Sequence, residues 1–210
     1  GMRVPPMKLH QELAAVALEG ESLLTIGVFD GVHRGHAHII SELRAEAKRH
    51  GALAGVLTFR NHPLSVLRPG FVTRFLNDPD ARIALLKQAG ADFIVPVTFD
   101  RELSELGAAE FVGLLQKHLR MRGLVIGPDF ALGRGREGDD ETLQRLGREM
   151  GFSVSVVGPL VGRDGQTIRS TAVRKALEVG DVERVADLLG REFAVTGTVV
   201  KGHGRGGPLG

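Results

Sequence analysis

Five short apolar runs alternate with stretches of helical period, and that alternation leaves few folds open to the chain. The runs lie at residues 23–28, 54–59, 92–97, 123–127 and 152–157. Between them, apolar residues recur at helical spacing over 36–50, 79–89, 108–119 and 139–150. Strand and helix in strict alternation predict an α/β fold: a five-stranded, mostly parallel sheet with helices on both faces. An amphipathic segment at 7–19 precedes the first strand, with Leu9, Leu13, Val16 and Ala17 on one face. Two short helices at 170–179 and 181–189 follow the last. Residues 64–75 read as irregular and 100–106 as a connection. Residues 161–168 read as a hairpin turned at Arg163-Asp164-Gly165-Gln166.

The first strand breaks in an unusual way. After Thr25-Ile26 the chain reads Gly27-Val28-Phe29-Asp30-Gly31-Val32-His33-Arg34-Gly35-His36, and helical spacing then begins. This is strand, glycine-rich turn and helix start. Glycines let a backbone approach a ligand closely, and the N–H groups at a helix start favour phosphate. His33 and His36 fall in or just before the first helical turn, so both can address one point. Two imidazoles there suit the charge on a transferring phosphoryl group, where catalysis is mostly positioning and electrostatics. The pattern is neither the dinucleotide fingerprint nor the P-loop.

In an open α/β sheet, ligands bind beyond the carboxyl ends of the strands. The first, second and fourth strands end in polar or glycine-rich stretches: 29–36, 60–63 and 128–136. Position alone therefore predicts one shared site. Thr167-Ile168-Arg169-Ser170-Thr171-Ala172-Val173-Arg174 puts Ser170 and Thr171 at another helix start, with Arg174 one turn later on the face of Ser170. These residues can grip phosphate, or they can be an ordinary cap with a solvated arginine.

Composition narrows the partners. A formal charge of +2 is a thin excess that a patch for a polyanionic cofactor fits as well as nucleic acid, and the lack of a basic motif or aromatic platform makes nucleic acid the least expected partner. The absence of cysteine excludes disulfides and thiolate zinc sites. No apolar run approaches the roughly 20 residues of a membrane span, and a signal-peptide core is lacking. The expectation is a cytoplasmic protein, with Gly1 ahead of Met2 as a tag remnant. His10, His50 and His118 read as solvated, His38 as pointing away along its helix, and Arg134 and Arg136 as a phosphate-facing pair.

The Gly-x-Phe-Asp-Gly-x-His-x-Gly-His string of residues 27–36 resembles the nucleotidyltransferase superfamily marked by H-x-G-H. With Phe29-Asp30-Gly31 included, it is similar to the bacterial bifunctional riboflavin kinase/FAD synthetase family. Three further stretches resemble that family in order. Phe59, His62 and Pro63 match its F-[DE]-P-H-P, with Arg60 and Asn61 replacing the acid and first proline. Residues 127–133 match G-x-D-F-x-F-G, with Leu132 in place of phenylalanine. Ser170, Thr171 and Arg174 match I-S-S-T-x-x-R, with Arg169 in place of the first serine.

The resemblance implies a Rossmann-like nucleotidyltransferase domain over residues 1–190 and the incomplete start of a riboflavin kinase-like β-barrel over 191–210. It implies FMN adenylyltransferase chemistry: ATP and FMN give FAD and pyrophosphate, with Mg²⁺ held mainly by nucleotide phosphates. His33, His36, Asp30, Ser170, Thr171 and Arg174 would be catalytic. ATP would contact Gly27, Val28, Phe29, Asp30, Gly35, His36, Ser170, Thr171 and Arg174. FMN would contact Phe59, Asn61, His62, Pro63, Asp129 and Phe130. Another small adenylyltransferase, acting on phosphopantetheine or nicotinamide mononucleotide, shares the histidines, and a flavin- or nucleotide-binding module without turnover is a third reading.

Overall fold

A computed structural model describes residues 7–71, 75, 76, 78–161, 168 and 170–189. The expected hairpin at 163–166 and the tail at 191–210 lie outside the described residues. The chain runs through α1 (Met7–Ala14), β1 (Ser22–Gly27), α2 (Arg34–His50), β2 (Leu53–Phe59), α3 (Leu64–Leu67), α4 (Pro79–Gln88) and β3 (Phe93–Val97). It continues through α5 (Arg101–Ser104), α6 (Ala108–Leu119), β4 (Met121–Ile126), α7 (Asp140–Met150), β5 (Ser153–Val156), α8 (Ser170–Glu178) and α9 (Val182–Leu189). Two stretches depart from expectation. Residues 64–75 hold the short α3, and the connection at 100–106 holds the short α5, which Asp100 caps through Leu103 N–H at 2.8 Å.

The strands lie in the order β3-β2-β1-β4-β5, and every neighbouring pair is parallel. The sheet is thus wholly parallel among the described residues, where mostly parallel was expected. The strand residues alternate between two apolar layers, as a two-faced sheet requires. Leu24, Ile26, Leu57, Leu124 and Ile126 point to the layer formed with α1, α6 and α7. Leu23, Val56 and Val125 point to the layer formed with Ile40 and Leu43 of α2 and Leu86 of α4. The α8–α9 hairpin packs around a third cluster, Ile168, Val173, Ala176, Val185, Leu188 and Leu189, joined by Leu76 and Leu160.

Caps mark the helix ends. Asp78 accepts from Ala81 N–H at 2.8 Å ahead of Pro79, and Gly151 closes α7 with φ 84°. Chain order reverses between β1 and β4, because β2 and β3 build outward on one side and β4 and β5 on the other. The crevice beyond the carboxyl ends at that reversal is where such a sheet receives ligands.

Candidate active site

The turn leaving β1 is tightly wound. Phe29 (φ 54°) and Val32 (φ 41°) take left-handed backbone that side chains disfavour, as does Gly31 (φ 81°). Such strain persists only where surroundings over-determine it. Here they do. Thr58 Oγ1 donates to Val28 O at 3.0 Å, and Leu76 N–H donates to the Asp30 carboxylate at 2.7 Å. Asp30, only 4% exposed, also forms an ion pair with Arg174 of α8.

His33 and His36 open α2 as a reciprocal cap. His33 Nδ1 accepts from His36 N–H at 3.2 Å, and His36 Nδ1 accepts from His33 N–H at 3.3 Å. The rings stack, with centroids 3.6 Å apart and planes 16° apart. A neutral imidazole carries its proton on the nitrogen that does not accept, so both rings carry it on Nε2. Both imidazoles of the cap thus share one tautomer and stack at the helix start. Gly35 lets α8 close on this point: a Cβ there would stand 2.9 Å from His33 Cε1 and 3.2 Å from Ile168 O. Ser170 and Thr171 open α8 two residues later; their side chains lie outside the description.

Beside the turn lies an apolar cavity of about 320 Å³, a volume in the range of small-molecule pockets. It is walled at the ends of three strands: Ile26 and Val28 at the end of β1, Phe59, His62 and Pro63 at the end of β2, and Phe130 to Gly133 in the loop after β4. Phe99 after β3, Leu103 of α5 and Phe111 of α6 close it. Phe59 and Phe99 meet edge to face at 5.5 Å. Leu132 keeps this wall apolar and pairs with Gly138 across the loop.

His62 joins the two halves. Its ring lines the cavity, and its Nδ1 accepts from Leu64 N–H at 3.1 Å. Burial lowers its pKa below the usual histidine value, and the positive charge of Arg174 lowers it further against the opposing effect of Asp30. His62 is therefore held neutral, with its proton on Nε2.

Not every expected residue reaches the cavity. Asn61 is absent from its wall, because its amide is spent on the backbone of Phe99: Nδ2 donates to Phe99 O at 2.7 Å and Oδ1 accepts from Phe99 N–H at 2.8 Å. Asp129 lies instead in a shallow polar depression with Asp139, Asp140 and Glu141, and its carbonyl accepts from Arg136 at 2.8 Å. Arg136 stands at the rim of the apolar cavity, whereas Arg134 is exposed and outside its wall. His10 and His118 are not simply solvated. They meet at 3.2 Å between α1 and α6, and His118 is pushed toward the neutral form by burial, then by His10 and Lys117.

Phe99, Leu103 and Phe111 were missed by sequence reasoning. Phe99 follows the third strand, whose carboxyl end carries no glycine or motif to mark it. Glu12 of α1 was missed too. Its carboxylate accepts from Thr98 N–H at 3.2 Å and pairs with Arg60 at 3.6 Å, tying α1 to the loops after β2 and β3.

A parallel sheet of this order, a glycine turn and two histidines at a helix start define a Rossmann-like nucleotidyltransferase domain. The FAD synthetase family model matches residues 16–172, and the chain belongs to that family. The bifunctional riboflavin kinase/FMN adenylyltransferase of Escherichia coli K12 is 38% identical over 189 residues, covering 90% of this chain and 60% of that protein. The chain thus spans less than two thirds of that relative's length. Among solved structures, a macrolide-efflux protein from Streptococcus pneumoniae superposes with TM-score 0.81 at 26% identity, over 97% of this chain and 64% of that one. A pantoate–β-alanine ligase from Francisella tularensis, complexed with β,γ ATP and β-alanine, shares the fold at TM-score 0.50 and 12% identity, over 84% of this chain and 76% of that one. No helix among the described residues is long and apolar enough to cross a membrane.

Proposed function

We propose that this domain transfers AMP from ATP to FMN, giving FAD and pyrophosphate. The observation that carries the reading is the stacked, reciprocally capped pair of His33 and His36 on the turn whose first residue, Val28, lines an apolar cavity. The isoalloxazine ring enters the cavity among Phe59, Phe99, Phe111 and Phe130. ATP lies along the turn after β1 and the start of α8, at the reversal of strand order.

The chemistry is an in-line displacement. An oxygen of the FMN phosphate attacks the α-phosphorus of ATP, and the bond to the oxygen bridging α and β breaks. Pyrophosphate leaves with that electron pair, and no covalent enzyme intermediate forms. His33 and His36 donate to the oxygens that gain charge at the α-phosphorus and the leaving group. Ser170, Thr171 and Arg174 hold the β- and γ-phosphates. Asp30 aims Arg174 rather than touching nucleotide, because its carboxylate already serves Arg174 and Leu76. Mg²⁺ would be held mainly by the nucleotide phosphates and water, where it would neutralise part of their charge.

The test is incubation of the chain with ATP, Mg²⁺ and FMN, with FAD followed by chromatography. FAD and pyrophosphate in equal amounts are the expected products. ATP and FMN binding without FAD would make this a binding module. AMP transfer to phosphopantetheine or nicotinamide mononucleotide instead would place it with another adenylyltransferase.

A further inference from the structure

Arg82 of α4 is 1% exposed, and it and Asp30 are the two charged side chains among the buried polar residues described. Its guanidinium has no ion-pair partner among the described residues. Nη1 donates to Val28 O at 3.2 Å, Cζ lies 5.0 Å from the centre of the Phe75 ring, and Nε is buried without an acceptor. Burial pulls its pKa down, and the charge of Asp30 opposes that pull. A buried cation with one neutral hydrogen bond and an orphaned nitrogen costs the fold stability.

Its place explains what that cost supports. Val28 is the first residue beyond β1, and Phe29 turns left-handed directly after it. Arg82 and Thr58 both hold the Val28 carbonyl. Phe75, against which Arg82 lies, adjoins Leu76, whose N–H holds Asp30. One side chain thus braces the strained turn at its start and at the segment that grips its aspartate.

We propose that Arg82 is a positioning residue of the phosphate turn, holding Val28 to Val32 in the left-handed path that aims His33 and Asp30, at the expense of fold stability. The proposal rests on the adenylyl-transfer reading. Its test uses the full chain with Arg82→Met and Arg82→Lys, measured for Tm, for FAD formation and, by calorimetry, for ATP binding. Arg82→Met is expected to keep the wild-type Tm or exceed it, because Thr58 still holds Val28 O and the unpaired charge is gone. The same variant is expected to lose about tenfold or more in kcat, with KM for FMN changed by less than about twofold. Arg82→Lys, which restores a cation and a donor, is expected to recover part of kcat. Two results overturn the proposal: an Arg82→Met chain with wild-type kcat, or one whose Tm and activity fall together, which would make Arg82 a residue of the core. If the wild-type chain binds ATP but forms no FAD, the functional reading fails and the Arg82 question is read from binding alone. Weaker ATP binding by Arg82→Met at unchanged Tm then supports the proposal, and equal binding overturns it.

Discussion

The two halves of the candidate site are built on opposite terms. The turn after β1 is polar and conformationally costly: three left-handed residues within four positions, held by contacts from β2, α4 and α8. The cavity beside it is apolar, walled by side chains from several strands, helices and the loops between them. Orientation is prepared in advance in the first, and shape is assembled in the second. Preparation of that kind acts on the transition state, whereas shape acts on binding. Variants should therefore separate kcat from KM according to which half they touch.

The largest separation is expected at the histidines. His33→Ala and His36→Ala should each lower kcat on the order of 10²-fold or more, since each removes a donor aimed at developing charge. Loss of one cap bond should cost about 1 kcal/mol of stability, too little to unfold the chain. Steady-state kinetics beside circular dichroism checks this, and near-normal turnover in both variants would remove the histidines from catalysis. Phe130→Ala should act on the other side of the comparison, raising KM for FMN about tenfold and KM for ATP little. Equal changes for both substrates would mean that the loop after β4 closes over the whole site.

Gly31→Ala probes the strain itself. Its Cβ would stand 2.5 Å from Leu76 Cδ1 in a left-handed backbone. The expected loss is about 1–2 kcal/mol, read as a drop of a few degrees in Tm, with kcat reduced more than either KM. An unchanged Tm would show that the turn relaxes freely.

The smallest effect belongs to His62, where the halves meet. Its folded pKa lies below the unfolded value of 6.5, with burial the larger cause and Arg174 the next. The unfolded chain therefore takes up the proton first as pH falls, and stability is lost from about pH 6.5 downward until the folded pKa is passed. His62→Gln should flatten the decline of Tm on the acid side without abolishing it, because His118 is lowered in the same sense by its own burial and neighbours. An identical pH slope in the variant would contradict the buried, neutral assignment.

Much of the frame was legible because it is written in local spacing. Two-faced strand alternation, the Asp78-Pro79 start of α4 and the Gly151 stop of α7 are each coded within a few residues. The turn at 27–36 was legible for the same reason. What holds the turn was not. Asp30 and Arg174 are 144 positions apart, Val28 and Arg82 54 apart, and Glu12 and Thr98 86 apart. Side chains that meet over such separations leave no periodic trace, so nothing in the spacing of 79–89 marked Arg82. Asn61 shows the converse: the resemblance to F-[DE]-P-H-P implied a ligand contact, and only the structure shows that its amide satisfies the Phe99 backbone.

The reciprocal cap of His33 and His36 makes the first turn of α2 and the pair of donors a single cooperative unit. Each ring is oriented by the amide of the other, so fraying at that helix end releases both imidazoles together. Local opening and loss of catalytic alignment are then one event with one free energy. Deuterium uptake at the His33 and His36 amides would measure, in the absence of any substrate, how large a fraction of molecules stands ready to react.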